Sequence, residues 1–164
     1  MGEIIKAIII TGPESSGSAF IAKTIGKAVG LKNWDGYGEA IFSDLRILHQ
    51  SQPYKTRFQY ADYPEYKFYY PQYDRYFVLT TRDVSIVDRS KKNRFKASTY
   101  SLIHNRIRSK AILSNIIKQD KFFIWNYETM IYLGKPYFDL LYKFLGIESN
   151  YYPKVKDGNR KYLR

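Results

Sequence analysis

The chain has 164 residues, 45% of them hydrophobic, and a formal net charge of +12. These values predict one folded domain with its own core and exclude a disordered chain. Because there is no cysteine, disulfides, thiolate metal sites and cysteine nucleophiles are excluded. No apolar run is long enough to span a membrane, and we expect a cytoplasmic location. The basic charge favours an anionic partner, such as a phosphorylated cofactor, an acidic polysaccharide or a nucleic acid.

Strand and helix patterns alternate from the start of the chain. Apolar, β-branched residues predict a buried strand over residues 4–10, and a one-sided apolar pattern predicts a helix over 18–29. Residues 33–74 then break the periodicity with glycines, prolines and dense aromatics. They predict an irregular, aromatic-rich insertion that contains a short helix near 40–48. A long ordered insertion of this kind is often functional.

The second half of the chain repeats the strand–helix order. Strands are predicted at 76–81 and 121–126, and helices just after Arg82, at 98–118 and at 136–145. This alternation predicts an α/β fold with three layers, in which helices flank a central parallel sheet. We expect a single domain that spans the whole chain.

Three candidate ligand-binding residues follow the predicted strands directly. Gly12 comes after the first strand, Arg82 after the second and Tyr127 after the third. Ligands of parallel α/β sheets bind at the carboxyl ends of the strands. We therefore expect these three residues to meet at one edge of the sheet.

The loop after the first strand has the glycine spacing of a phosphate-binding P-loop. Gly12 and Gly17 match that pattern, but Ser18 replaces its lysine and Ala19 replaces its metal-binding hydroxyl. Backbone amides and a helix N-terminus can still bind phosphate oxygens. Because phosphoryl transfer depends on the lysine and on Mg²⁺, the loop argues against a kinase or nucleoside triphosphatase. A turn that binds nothing is the other interpretation.

This loop resembles the 5′-phosphosulfate loop of sulfotransferases that use 3′-phosphoadenosine 5′-phosphosulfate (PAPS), a family with a P-loop-like fold. Ser15-Ser16-Gly17-Ser18 is similar to the S-G-T core of that loop. Arg82 and Ser90, eight residues apart after a strand, resemble the family's pair for the donor's 3′-phosphate. Tyr127 is similar to its adenine-contacting tyrosine, and Arg160 lies in a segment similar to its basic C-terminal one.

The resemblance implies PAPS as the donor, 3′-phosphoadenosine 5′-phosphate (PAP) as the product and no metal requirement. It implies a donor site formed by Gly12, Ser15, Ser16, Gly17, Ser18, Ala19, Arg82, Ser90, Tyr127 and Arg160. The sequence departs from the family at Ser15, where the family carries a lysine or arginine that assists the leaving phosphate.

The implied reaction moves a sulfuryl group to a hydroxyl or amine of a small molecule or a carbohydrate, and it needs a general base. His49, in the segment where the family often places acceptor-binding and base residues, is the first candidate. Glu39, Asp44 and Asp35 are rivals. His104 is interpreted as structural.

Three alternatives remain open at this stage. One is a catalytically silent module that binds a nucleotide or a glycan, which the substitution at Ser15 favours. Another is a degenerate, kinase-like P-loop protein. A nucleic-acid binder is the weakest, since only charge and aromatic content support it.

Overall fold

A computed structural model of the chain describes residues 6–52, 54–55, 60–61, 72–119 and 121–163. In chain order its elements are strand β1 (Lys6–Pro13), helix α1 (Ser18–Ala28), strands β2 (Gly38–Phe42), β3 (Leu45–Gln52), β4 (Tyr54–Lys55), β5 (Tyr60–Ala61) and β6 (Asp74–Thr81), helices α2 (Val84–Phe95) and α3 (Thr99–Gln119), strand β7 (Lys121–Asn126), helices α4 (Tyr127–Leu133) and α5 (Lys135–Leu145), and a 3₁₀ turn (Arg160–Tyr162).

Five strands form the central sheet in the order β2-β3-β1-β6-β7. β1 runs parallel to both of its neighbours, β3 and β6, and β7 runs parallel to β6. β2 is the exception, since it pairs antiparallel with β3 at the edge of the sheet. The two-residue strands β4 and β5 pair separately from it. The sheet is therefore mostly parallel, and the carboxyl ends of β3, β1, β6 and β7 share one edge.

Alternate residues of β1 face two different hydrophobic clusters. Ile8 and Ile10 pack into a cluster that includes buried side chains of α1 and α5. Ile9 packs into another cluster that includes Ile112 and Ile116 of α3. Because successive strand residues point to opposite faces, helices cover the sheet on both sides. The predicted α/β architecture, with helices flanking a central sheet, is confirmed at this level.

The prediction of an irregular insertion with a helix near 40–48 is wrong for residues 38–52. These residues form the hairpin β2–β3, in which Ser43, with a φ of 56°, lies in a two-residue turn. Pairing of β3 with β1 over eight residues buries Ile47 and Leu48, and this long-range pairing outweighs the local helical pattern. The remainder of the predicted insertion lies largely outside the described residues.

The other predicted elements form, with two differences: β1 continues past residue 10 to Pro13 and so includes Gly12, and helix α4 was not predicted. β7 has the predicted bounds, 121–126, and the helices after Gly17, Arg82 and Gly134 all form. Within the described part of the chain, no helix is both long enough and apolar enough to cross a membrane.

Candidate functional site

The loop between β1 and α1 holds a turn that few residue types can adopt. Ser15 has a φ of 68° and Gly17 a φ of 90°, both in the left-handed region. A Cβ on Gly17 would lie 2.9 Å from Cδ2 of Tyr127. Gly17 is the N-cap of α1 and supplies no side-chain hydrogen bond. The amides that follow, at Ser18 and Ala19, are therefore free of a capping side chain and suit an anion at the helix N-terminus.

Ser16 anchors this loop to the sheet. Its hydroxyl is fully buried and lies 2.6 Å from Oγ1 of Thr80, which donates to the carbonyl of Thr11 at 3.2 Å. The backbone amide of Ser16 donates to the carbonyl of Pro13. A Cβ on Gly12 would lie 2.2 Å from Oγ1 of Thr80, so β1 and β6 approach closely only because Gly12 has no side chain. Gly12 and Ser16, both predicted to bind the donor, thus shape the loop, and the hydroxyl and amide of Ser16 are engaged within the protein.

Arg82 lies directly after β6 and is held from three sides. Its Nε and Nη2 donate to Oδ1 of Asn159 at 2.8 and 2.5 Å, and its Nη1 donates to the carbonyl of Ser15 at 3.0 Å. The guanidinium carbon lies 4.3 Å from the ring centroid of Tyr127. Glu128 fixes the other end of Asn159, because its Oε1 accepts from Nδ2 at 2.8 Å. The planar cation is therefore oriented before any ligand arrives.

Ser90 of α2 reaches the same loop. Its hydroxyl lies 3.1 Å from the hydroxyl of Ser15 and receives a hydrogen bond from the hydroxyl of Tyr162 at 3.0 Å. Arg89 donates to the carbonyl of Tyr162. Ser15 therefore contacts both members of the predicted pair: its carbonyl accepts from Arg82, and its hydroxyl contacts Ser90.

The C-terminal segment 156–162 covers this arrangement. The hydroxyl of Tyr127 donates to the carbonyl of Lys156 at 3.2 Å and accepts from the amide of Gly158 at 3.0 Å. Arg160, predicted to contact the donor, has a side chain that is 85% exposed and lies 3.4 Å from the carboxylate of Asp157. It lines an open surface depression beside Gly158 and Lys161. The contacts with Arg82 and Ser90 are made by two neighbours of Arg160 in this segment, Asn159 and Tyr162.

Sequence reasoning missed two of those neighbours, Asn159 and Tyr162. Neither belongs to a strand–turn–helix pattern, and their partners lie more than 70 residues away along the chain. The one local signal was a glycine followed by a polar residue within a basic segment. A basic segment of this kind predicts that its cations bind the ligand, and it does not predict a role for the side-chain amide of Asn159 or the phenol of Tyr162.

His49 lies on β3, beside the same loop. Together with Ser15, Gly17, Ser18 and Ser51, it lines a cavity of about 180 Å³. The hydroxyls of Ser18 and Ser51 are 3.4 Å apart across it. Other described residues of the lining are Glu14, Ala19, Tyr37, Arg94 and Phe95.

The His49 imidazole is buried, and neither ring nitrogen makes a hydrogen bond of normal geometry among the described residues, although the backbone of Gly36 interacts weakly with the ring. Burial lowers the pKa of His49 below its ordinary value, while the backbone of Gly36 and the carboxylate of Asp35 act in the opposite direction. The ring is therefore neutral at pH 7 and retains a free lone pair. A buried polar atom without a partner is rare and suits a group that receives its partner from a ligand.

The rival bases lie elsewhere in the described structure. Glu39 forms an ion pair with Arg46 across the β2–β3 hairpin, with 3.1 Å between the charged atoms. Asp35 accepts a hydrogen bond from the amide of Tyr37. Among the described residues that line the cavity, neither these two nor Asp44 is present. His49 is the candidate base with direct access to the loop.

Within the described ranges, no group of three or more histidine, aspartate or glutamate side chains could hold a metal ion. The site thus offers backbone amides, hydroxyls, the guanidinium groups of Arg82 and Arg94, the carboxylate of Glu14 and a neutral imidazole. This set can bind anions and accept a proton.

Neither the protein-family models nor the curated proteins include a match to this chain. The resemblance to PAPS-dependent sulfotransferases therefore stays a prediction, and the case for function depends on the geometry of the loop, Arg82, Ser90 and His49.

Proposed function

We propose that this protein is a sulfotransferase that moves a sulfuryl group from PAPS to a hydroxyl or amine acceptor. The observation that carries the proposal is the position of Ser15. It contacts Arg82 and Ser90 on one side and lines the cavity of His49 on the other. The residues that we propose for the 3′-phosphate and the residue that we propose as the proton acceptor therefore adjoin the same loop.

The described residues suit such a donor in specific ways. The uncapped N-terminus of α1 attracts one anionic group, and Arg82 with Ser90 attracts a second. Oδ1 of Asn159 now occupies the fork formed by Nε and Nη2, so a phosphate that binds in this fork displaces Asn159. The C-terminal segment covers Arg82 and Tyr127, which is consistent with a donor that binds beneath this segment.

Bound PAPS supplies the sulfuryl group and carries its own leaving phosphate. In the proposed mechanism, a ring nitrogen of His49 accepts the proton of the acceptor hydroxyl or amine. The lowered pKa of His49 keeps that nitrogen unprotonated at neutral pH. The amides at the start of α1 hold negative charge at the loop. Arg94, which lines the same cavity, supplies the positive charge that the family carries at the position of Ser15.

A donor-binding protein without transfer activity is the second candidate. The specific observation in its favour is Ser15 itself, whose side chain brings no cation to the loop and instead contacts Ser90.

Calorimetry with PAP tests the donor site directly, in buffer containing EDTA and again with Mg²⁺. We expect equal affinity in both buffers and a loss of at least about tenfold in Arg82→Ala, since a charge-assisted fork to phosphate is removed. Lys92→Ala is the matched control, because it removes one positive charge from an exposed position of α2. No heat with PAP, or an equal loss in both variants, would overturn the proposal.

Transfer is tested separately by following the release of PAP from PAPS in the presence of simple phenols and amino sugars. We expect wild-type release to depend on the acceptor and His49→Gln to lose it while still binding PAP. Binding of PAP without acceptor-dependent release in the wild type would favour the silent module. ATP with Mg²⁺, bound more tightly than PAP, would favour the kinase-like alternative.

A further inference from the structure

A second, larger cavity lies between α2 and α3, away from His49. Its volume is about 300 Å³, at the lower end of the range for small-ligand sites. Its walls are largely apolar and come from both helices and from the end of β1: Pro13, Val84, Val87, Leu102, Leu113 and Ile117. The shape and lining suit the apolar body of a small organic molecule.

One charged side chain is buried in this wall. Lys91 is only 4% exposed and lines the cavity, while its neighbour Ser90 faces the loop of Ser15. Within the described residues, Lys91 has no hydrogen bond or ion pair. Burial lowers the pKa of its ammonium, although the carboxylates of Glu14 and Asp88 act against that shift. Withdrawal of a lysine side chain from water is costly when no carboxylate pairs with it, and an anion in the cavity would offset that cost.

The other charges around the cavity leave it positive. Asp88 is the one carboxylate among the described lining residues, and it is paired with Arg106. Arg82 is held by Asn159 and Ser15, as described above. Lys110 lies exposed at the rim. Lys91 and Lys110 therefore remain without a paired carboxylate in the described structure, which favours an anionic head group.

We propose that this cavity binds a small amphipathic carboxylate, with its apolar body between α2 and α3 and its carboxylate against the ammonium of Lys91. The proposal does not rest on sulfotransferase activity, because the features that carry it are the cavity, its apolar walls and the unpaired lysine. It assigns to α2 two separate roles: Ser90 faces the phosphate-binding loop, and Lys91 faces a second ligand.

Calorimetry with octanoate tests the proposal, with octan-1-ol and octylamine as neutral and cationic comparators. We expect octanoate to bind the wild-type protein and to bind roughly tenfold or more weakly to Lys91→Met, which keeps the length of the side chain but removes its charge. Lys92→Met, at an exposed position one residue further along α2, is the matched control and is expected to bind like the wild type.

A second variant separates loss of binding from loss of folding. Leu113→Trp fills the apolar part of the cavity and leaves Lys91 in place, so it should also abolish octanoate binding. Thermal unfolding of each variant verifies that it is folded. The proposal is overturned if folded wild-type protein does not bind octanoate, if octan-1-ol binds equally well, or if Lys91→Met binds octanoate as tightly as Lys92→Met does.

Discussion

The guanidinium carbon of Arg82 lies 4.3 Å from the ring centroid of Tyr127, within the range of a cation–π interaction. The same ring lies against Gly17, where a Cβ would come within 2.9 Å of Cδ2. Residues that follow β1, β6 and β7 therefore meet around one tyrosine. Changes at any of them are expected to affect both the loop and the cation.

Asn159 tests whether Arg82 exchanges a protein partner for a ligand. An Asn159→Asp change retains the oxygen that Arg82 contacts but adds a negative charge that competes with phosphate for the guanidinium. Asn159→Ala removes the competitor. We expect PAP to bind Asn159→Asp at least about tenfold more weakly than Asn159→Ala, because a carboxylate binds guanidinium more strongly than an amide does.

The affinities are measured by calorimetry at two salt concentrations, because surface charges are screened by salt. Asn159→Asp also brings a carboxylate toward Glu128, so its thermal unfolding is recorded alongside. Equal affinity of the two variants would mean that PAP does not bind at Arg82.

Much of the fold could be predicted from local patterns. The predictions failed for the segment whose secondary structure depends on long-range pairing between strands. β1, β6 and β7 are continuous apolar runs, and the glycine loop marks the start of α1. β3 begins apolar but ends in four polar residues, His49 to Gln52, so its pattern is weak when read alone. Those polar residues lie at the carboxyl edge, beside the candidate site, and the strand forms because β1 pairs with it along its whole length.

The site was predictable to the extent that its residues follow strands. Arg82 and Tyr127 meet as expected, since parallel strands bring their carboxyl ends to one edge. The cover provided by Asn159 and Tyr162 was not predictable, because no periodic pattern links the C-terminal segment to residues more than 70 positions earlier.

Gly17 is expected to be intolerant of any side chain, for two separable reasons. Gly17→Ala introduces a strained left-handed residue and a contact with Tyr127, and should lower the free energy of unfolding by about 2–4 kcal/mol. Gly38→Ala is the matched control: Gly38 has a φ of 64°, but a Cβ there meets nothing within 4 Å. Gly38→Ala should lower the free energy of unfolding by only about 1 kcal/mol, because backbone strain is its only cost.

Urea unfolding of both variants measures the difference. Tyr127→Ala should then recover part of the loss in Gly17→Ala, and a double-mutant cycle gives the size of the contact. Equal costs at Gly17 and Gly38 would show that the loop does not press against the ring.

The hydroxyl of Thr80 is expected to matter more for stability than that of Ser16. Ser16→Ala leaves Thr80 with its bond to the carbonyl of Thr11, and should cost about 1 kcal/mol. Thr80→Val removes the group that both partners share and leaves the buried Ser16 hydroxyl unsatisfied, which should cost about 1–3 kcal/mol. Urea unfolding of the two variants measures which one loses more stability. A smaller loss of the free energy of unfolding in Thr80→Val than in Ser16→Ala would contradict the prediction.

His49 is expected to make the protein less stable in mild acid. Its ordinary pKa is 6.5, and burial lowers the pKa in the folded state. As the pH falls below 6.5, the unfolded chain takes up a proton that the folded protein does not, so the free energy of unfolding decreases until the folded pKa is passed. Above pH 6.5 both states are neutral at this position, and the contribution is constant.

Urea unfolding between pH 8 and pH 5 measures this decline, and [¹H,¹⁵N] spectra of the imidazole give the pKa directly. His49→Phe, which keeps an aromatic ring beside Tyr37 but cannot titrate, should flatten the part of the decline that His49 causes. His104→Gln is the matched control: it removes an exposed histidine from α3 and retains His49, so the wild-type decline should persist. If His49→Phe declines as steeply as His104→Gln, the imidazole is not the group that is held neutral by burial, and its assignment as the proton acceptor loses its physical basis.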